Sequence, residues 1–185
     1  MAVDVFAADE QTDRPVDLER WTHLVRSVLA DQGVVEDAEV SLLFVDEGAI
    51  GALNERFLGR TGPTDVLAFP LEQMPIQTAR SSDFARSGPG AEKVDVPLAL
   101  LGDVVICPAV AAANATIHES TYQDEMALLV VHGLLHLLGM DHEDEAEADA
   151  MERLERTLLG RFYLEAPSGA EPEQSSGPDQ GQGSE

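Results

Sequence analysis

Basic residues are scarce in this chain of 185 residues: 11 Lys and Arg stand against 35 Asp and Glu, a net charge of −24, and Lys93 is the only lysine. Nucleic acid and anionic lipid carry the same sign, so bulk attraction to either is excluded. A phosphate-bearing substrate must be met by a metal or by a local cluster of arginines. Cysteine is almost absent. The single Cys107 cannot form an internal disulfide, which fits a reducing, cytoplasmic location. Long hydrophobic runs are also missing: the longest, Met126 to Met140, is too short to span a bilayer and carries His132 and His136, so no membrane span is expected. The N-terminal MAVDVFAADE has neither a basic n-region nor an apolar h-region, and no secretory signal is expected.

What is present suits one globular domain, because 44% of the residues are hydrophobic and a chain of this length can bury a sizeable core. The alternation at residues 2–6 and the β-rich segments 39–45, 64–69 and 98–107 predict four strands. Leu18, Trp21, Leu24, Val25, Val28 and Leu29 recur at helical spacing between the first two strands. Further helices are predicted over 46–57, with Ile50, Leu53 and Phe57 on one face, and over 109–118, 122–138 and 144–162. The fold class is therefore α+β: a sheet of about four strands flanked on both sides by about five helices, with 122–138 the central buried helix. Residues 70–97 hold four prolines and read as a long loop. Residues 1–165 are expected to form a single metal-dependent hydrolase-like domain, and 166–185, with no apolar residue beyond alanine and proline, a disordered acidic tail.

Three of the five histidines fall within eleven residues, in HGLLHLLGMDH, 132–142. His132 and His136 are i and i+4 on a helix, so their imidazoles leave one face a turn apart. Gly139 sits where a left-handed residue ends the helix and turns the chain back, which lets His142 reach the same point. Three neutral imidazoles suit one Zn²⁺ at the end of the central helix, with a fourth position open. The bland alternative, polar residues satisfied by backbone carbonyls, serves for one histidine but poorly for two inside a run of leucines and valines. Asp141 is either a carboxylate orienting an imidazole or a turn residue.

The spacing is that of the metzincin proteases, H-E-x-x-H-x-x-G-x-x-H, with Gly133 at the position of the glutamate that serves as general base. A peptidase therefore lacks its proton acceptor.

The same segment resembles the signature of the YbeY family, H-G-x-L-H-L-x-G-Y-D-H, with Met140 in place of the usual tyrosine. LNERF, 53–57, PTDVLAFP, 63–70, and LLGDVVICP, 100–108, are similar to further blocks of that family, and His118 and Glu125 stand where it carries histidine and glutamate. The resemblance covers most of residues 35–142. It implies a zinc-dependent, single-strand-specific endoribonuclease acting in ribosomal RNA maturation and ribosome quality control, with His132, His136 and His142 on the metal. One position departs: the arginine usual after the aromatic of L-N-x-x-Y/F is here Leu58, and Arg56 or Arg60 could bring a guanidinium to the same cleft. Thr64 and Asp65 match the family, though as a strand-entry pair they could simply cap a turn. His23 reads as a surface residue, and Glu125 as structural or solvated. Seven acidic residues from Glu143 to Glu155 read as a solvated face beyond the metal ligands. The expected partners are single-stranded RNA, ribosomal RNA in particular, and basic ribosomal proteins, for which the acidic surface is complementary. Two rival functions are a ribosome-associated binding factor with a structural metal and a zinc peptidase.

Overall fold

A computed structural model of the chain describes residues 3–34, 38–71, 99–140 and 144–164. Alternation along AEVSLLF sets the middle of the sheet: in β2 (Ala38–Phe44), Ala38, Val40, Leu42 and Phe44 are buried and the residues between them half-buried. β2 pairs in parallel with β1 (Asp4–Asp9) on one side and β4 (Ala99–Ile106) on the other, and β3 (Val66–Pro70) closes the order β1-β2-β4-β3 as an antiparallel edge.

Successive residues of β4 face opposite sides, as the pleat requires. Val104 joins the main core with α1 (Leu18–Asp31), α4 (Tyr122–Leu137) and α5 (Glu145–Leu159). Val105 joins a smaller core with Leu67 and with Ile50 of α2 (Glu47–Leu58) on the other face. The short α3 (Pro108–Ile117), with Pro108 at its first position, leads into α4. α4 is buried on nearly all sides, touching β3, β4, α1, α3 and α5, and is the central helix the sequence predicts. A π-helical turn, Gly160–Leu164, ends the described chain. Its Tyr163 stacks on Trp21 and donates from its hydroxyl to Asp124 at 2.8 Å, pinning the C-terminal turn to the first turn of α4.

The α+β class, the four strands and the helices on both faces are as expected; two strand ends are not. β1 runs to Asp9 rather than stopping at residue 6, because backbone pairing of Asp9 with Phe44 extends the ladder past the apolar alternation. β3 starts at Val66 rather than 64, because the Asp65 side chain accepts the Val66 amide at 2.8 Å and Thr64 Oγ1 at 3.2 Å, a turn that ends where the strand begins. Periodicity puts Phe57 with Ile50 and Leu53 on the covered face of α2, but at the helix end its ring meets only the edge strand, against Phe69 with centroids 5.1 Å apart, and it is 55% exposed. The predicted loop 70–97, apart from Pro70 and Leu71, and the tail 166–185 lie outside the described residues. No helix among the described residues is long and apolar enough to cross a membrane.

Candidate metal centre

Where α4 crosses β3 and β4 its backbone lies against the sheet, and the contact point is Gly133. A Cβ placed there would meet Val104 Cγ1 at 2.5 Å and Cγ2 at 3.2 Å. The residue that replaces the metzincin glutamate is thus dictated by packing: a side chain at 133 would drive the helix off the sheet. With Gly133 held down, the neighbouring positions 132 and 136 are turned toward the sheet's outer edge. Both imidazoles are half-buried there, their ring centroids 4.6 Å apart and their planes at 78°.

The two Nε2 atoms are 3.1 Å apart. Two nitrogens each about 2.0–2.1 Å from one tetrahedral zinc stand about 3.3 Å apart, so the pair fits a shared ion to within a few tenths of an ångström. The helix then ends as predicted. Gly139 has φ +84°, its amide donates to His136 O at 3.0 Å, and the Met140 amide donates to Leu135 O at 3.0 Å, a Schellman stop. His142 and Asp141 lie beyond it, outside the described residues. Among the described residues no three histidine, cysteine or carboxylate side chains converge to hold an ion.

One carboxylate that sequence reasoning misassigns touches the site. Glu155, expected among solvated acidic residues, is buried on α5 and pairs with His132 Nδ1 at 2.6 Å. Its exposed companions Asp144, Glu145, Glu147, Asp149 and Glu152 do form the predicted acidic surface. The difference is present in the pattern: positions 151, 155 and 158 share one helix face, so Glu155 interrupts the stripe of Met151 and Leu158 that packs inward.

A cleft of about 720 Å³ opens in front of the two histidines, walled by β3 on one side and by Phe57, Leu58 and Arg60 on another. Arg60 lines it. Arg56 does not; its guanidinium lies 5.2 Å from the centre of the Phe57 ring on the exposed side of α2. Asn54 is the reason Arg60 is placed: it is buried, its side-chain amide donates to Gly62 O at 2.9 Å, and its backbone carbonyl accepts from the Arg60 amide at 3.4 Å. The turn carrying Arg60 is therefore tied to the end of α2. Asp65 also borders the cleft, its second carboxylate oxygen accepting from Asn114 at 3.0 Å.

The other sequence candidates lie elsewhere. His118 pairs with Glu125 at 3.2 Å and does not line the cleft, and Glu125 is buried rather than solvated, also accepting from Ser120 Oγ. His23 is exposed on α1. Cys107 is buried, and burial pushes its thiol above the usual range, which leaves it an inert core residue.

The sequence profile described as Endoribonuclease YbeY matches residues 6–163. The Endoribonuclease YbeY of Beutenbergia cavernae is 42% identical over 147 residues, covering 80% of this chain and 89% of that protein. That of Salinispora tropica is likewise 42% identical over 147 residues, covering 80% of this chain and 88% of its own length. The solution structure of TM1509 from Thermotoga maritima aligns with a TM-score of 0.51 at 21% identity, over 93% of this chain and 99% of that one, a likeness of fold. The match spans both walls of the cleft and the helix between them, and the chain belongs to the Endoribonuclease YbeY family.

Proposed function

We propose that the chain cleaves single-stranded RNA at a zinc ion held by His132, His136 and His142, in ribosomal RNA maturation and ribosome quality control. Family membership makes it a nuclease of the hydrolase class. The observation that carries the metal reading is the pair of Nε2 atoms 3.1 Å apart at a cleft that also holds Arg60.

When bound, zinc supplies Lewis-acid stabilisation for charge that builds on oxygen. Arg60, tethered through Asn54, offers a planar, permanently charged donor for a phosphate entering the cleft, and Arg56 a second from the outer side. Asp141, one residue from His142, is the carboxylate to orient that imidazole. The apolar walls, Val66 to Pro70 and Met140, lower the local polarity around a phosphodiester in the cleft and strengthen these charge contacts. Because the chain carries −24 overall, RNA is gripped locally, which favours a single strand that can bend into the cleft over a rigid duplex.

Elemental analysis combined with cleavage of a labelled single-stranded RNA tests the reading. One zinc per chain is expected, with cleavage lost on chelation and regained with zinc. Undiminished cleavage by zinc-free protein overturns it. The acidic surface favours basic ribosomal proteins as partners, and stoichiometric zinc without any cleavage would transfer the function to ribosome binding. A peptidase has neither a base at Gly133 nor room for one.

A further inference from the structure

We propose that Glu155 is a positioning residue of the zinc centre, holding His132 in the Nδ1–H form so that the Nε2 lone pair faces the ion; this rests on the zinc reading above. Glu155 is 8% exposed, and a carboxylate so far removed from water requires a donor. The donor is His132 Nδ1 at 2.6 Å, a short contact of the kind an ionised acceptor favours. A carboxylate only accepts, so Nδ1 carries a proton, and of the two neutral tautomers the one selected leaves Nε2, the atom 3.1 Å from His136 Nε2, unprotonated. The ring is also restrained in rotation, because its partner is on another helix and shares the inward face of that helix with Met151 and Leu158, both buried.

This assigns a task to α5 that its charge conceals. The helix presents acidic side chains to solvent and one carboxylate inward, and the docking of α5 on α4 becomes part of the metal affinity. The role is distinct from the one proposed for Asp141, which neighbours His142 in sequence.

The test compares Glu155→Ala, Glu155→Gln and, as a packing control on the same helix face, Met151→Ala. Zinc affinity is read by competition with a chromophoric chelator, and the His132 tautomer by long-range ¹H–¹⁵N correlation in metal-free protein. Glu155→Ala is expected to weaken zinc 10- to 100-fold and to lose the preference for Nδ1–H. Glu155→Gln, whose amide oxygen still accepts from Nδ1–H, should keep the tautomer and lose less affinity. Met151→Ala should lower thermal stability while keeping the tautomer and losing far less zinc affinity than Glu155→Ala. Zinc affinity in Glu155→Ala equal to that of the unaltered chain, or an Nε2–H tautomer in the unaltered chain, overturns the assignment. So does Met151→Ala weakening zinc as much as Glu155→Ala, since that is what packing alone would produce. Should Glu155→Ala fail to fold, Glu155→Gln and the unaltered tautomer decide. Absence of zinc binding in the unaltered chain would instead overturn the zinc reading itself.

Discussion

Two histidine–glutamate pairs involve α4, one near each end. At the start of the helix the buried Glu125 pairs with His118 at 3.2 Å and also takes the Ser120 hydroxyl at 3.3 Å. Toward the other end His132 pairs with the buried Glu155 at 2.6 Å. Residue types, burial of the acid and use of Nδ1 are the same. What differs is the second ring nitrogen: that of His132 faces another imidazole, whereas His118, with its side chain 55% exposed, lies outside the cleft. A histidine held by a carboxylate is a common way to satisfy a buried acid. It becomes a metal ligand only where a second donor converges on its other ring nitrogen, and here the i, i+4 spacing across Gly133 provides that convergence.

The largest effect that separates the two pairs is on metal. His136→Ala removes one donor of three and is expected to reduce zinc well below one per chain and to lower RNA cleavage more than about 100-fold, beyond what loss of an orienting partner costs. His118→Ala should leave both unchanged. Elemental analysis and a cleavage time course on the two variants check this, and zinc loss in His118→Ala would erase the distinction.

The arginines sharpen it next. Arg60→Ala is expected to slow cleavage on the order of 100-fold, the scale for removing a donor aimed at developing charge, with zinc content unchanged. Arg56→Ala, its guanidinium over Phe57, should have a much smaller effect, and the double variant should exceed Arg60→Ala only by that small effect. Initial rates at saturating RNA measure all three, and equal losses at both positions would show that the cleft admits either side chain.

Smaller again is the effect of forcing a side chain into the contact between α4 and the sheet. Gly133→Ala must displace Val104, a β-branched side chain with little rotamer freedom, and is expected to cost about 1–3 kcal/mol. Urea unfolding reads the loss. The strain falls beside His132, so zinc affinity should weaken with it while the His118–Glu125 pair is left in place.

Much of this contrast is legible in the order of residues alone. The histidine spacing, the stop at Gly139 and the apolar run of 122–138 each predict a local geometry from residues close in sequence, and short-range rules of helix periodicity and capping suffice for them. Glu155 is misread because its role depends on a partner 23 residues away on another helix, and its neighbours Glu152 and Asp149 make the whole segment look solvated. The choice between Arg56 and Arg60 stays open in the sequence for a similar reason: it depends on where α2 stops against β3 and on the Asn54 tether, neither of which has a periodic signal. The end of β1 escapes because backbone pairing at an edge strand asks little of side chains.

The smallest predicted effect lies at the structural end of α4, on the residue before Glu125. Asp124 is held below the usual carboxylate range chiefly by the Thr121 hydroxyl, with the Tyr163 hydroxyl adding to it, and Tyr163 is pushed up to about 12 by burial first and by Asp124 second. The signs differ. The depressed Asp124 contributes stability that is present above the ordinary aspartate value of about 3.9 and is lost as pH falls through its lower folded value. The raised Tyr163 contributes stability that is complete below its ordinary value of about 10 and is lost as pH rises toward about 12. Tyr163→Phe keeps the ring against Trp21 and removes only the hydroxyl bond, so at neutral pH it should cost about 1 kcal/mol. Its alkaline loss of stability should be shallower than that of the unaltered chain but not absent, because Tyr122 is also raised by burial. The acid limb should change little, since Thr121 remains. Urea unfolding from acid to strongly alkaline pH measures each limb, and zinc content should be the same in both proteins. A Tyr163→Phe chain that lost zinc would mean that the two ends of α4 are coupled, and the separation between a structural pair and a metal-binding pair would no longer hold.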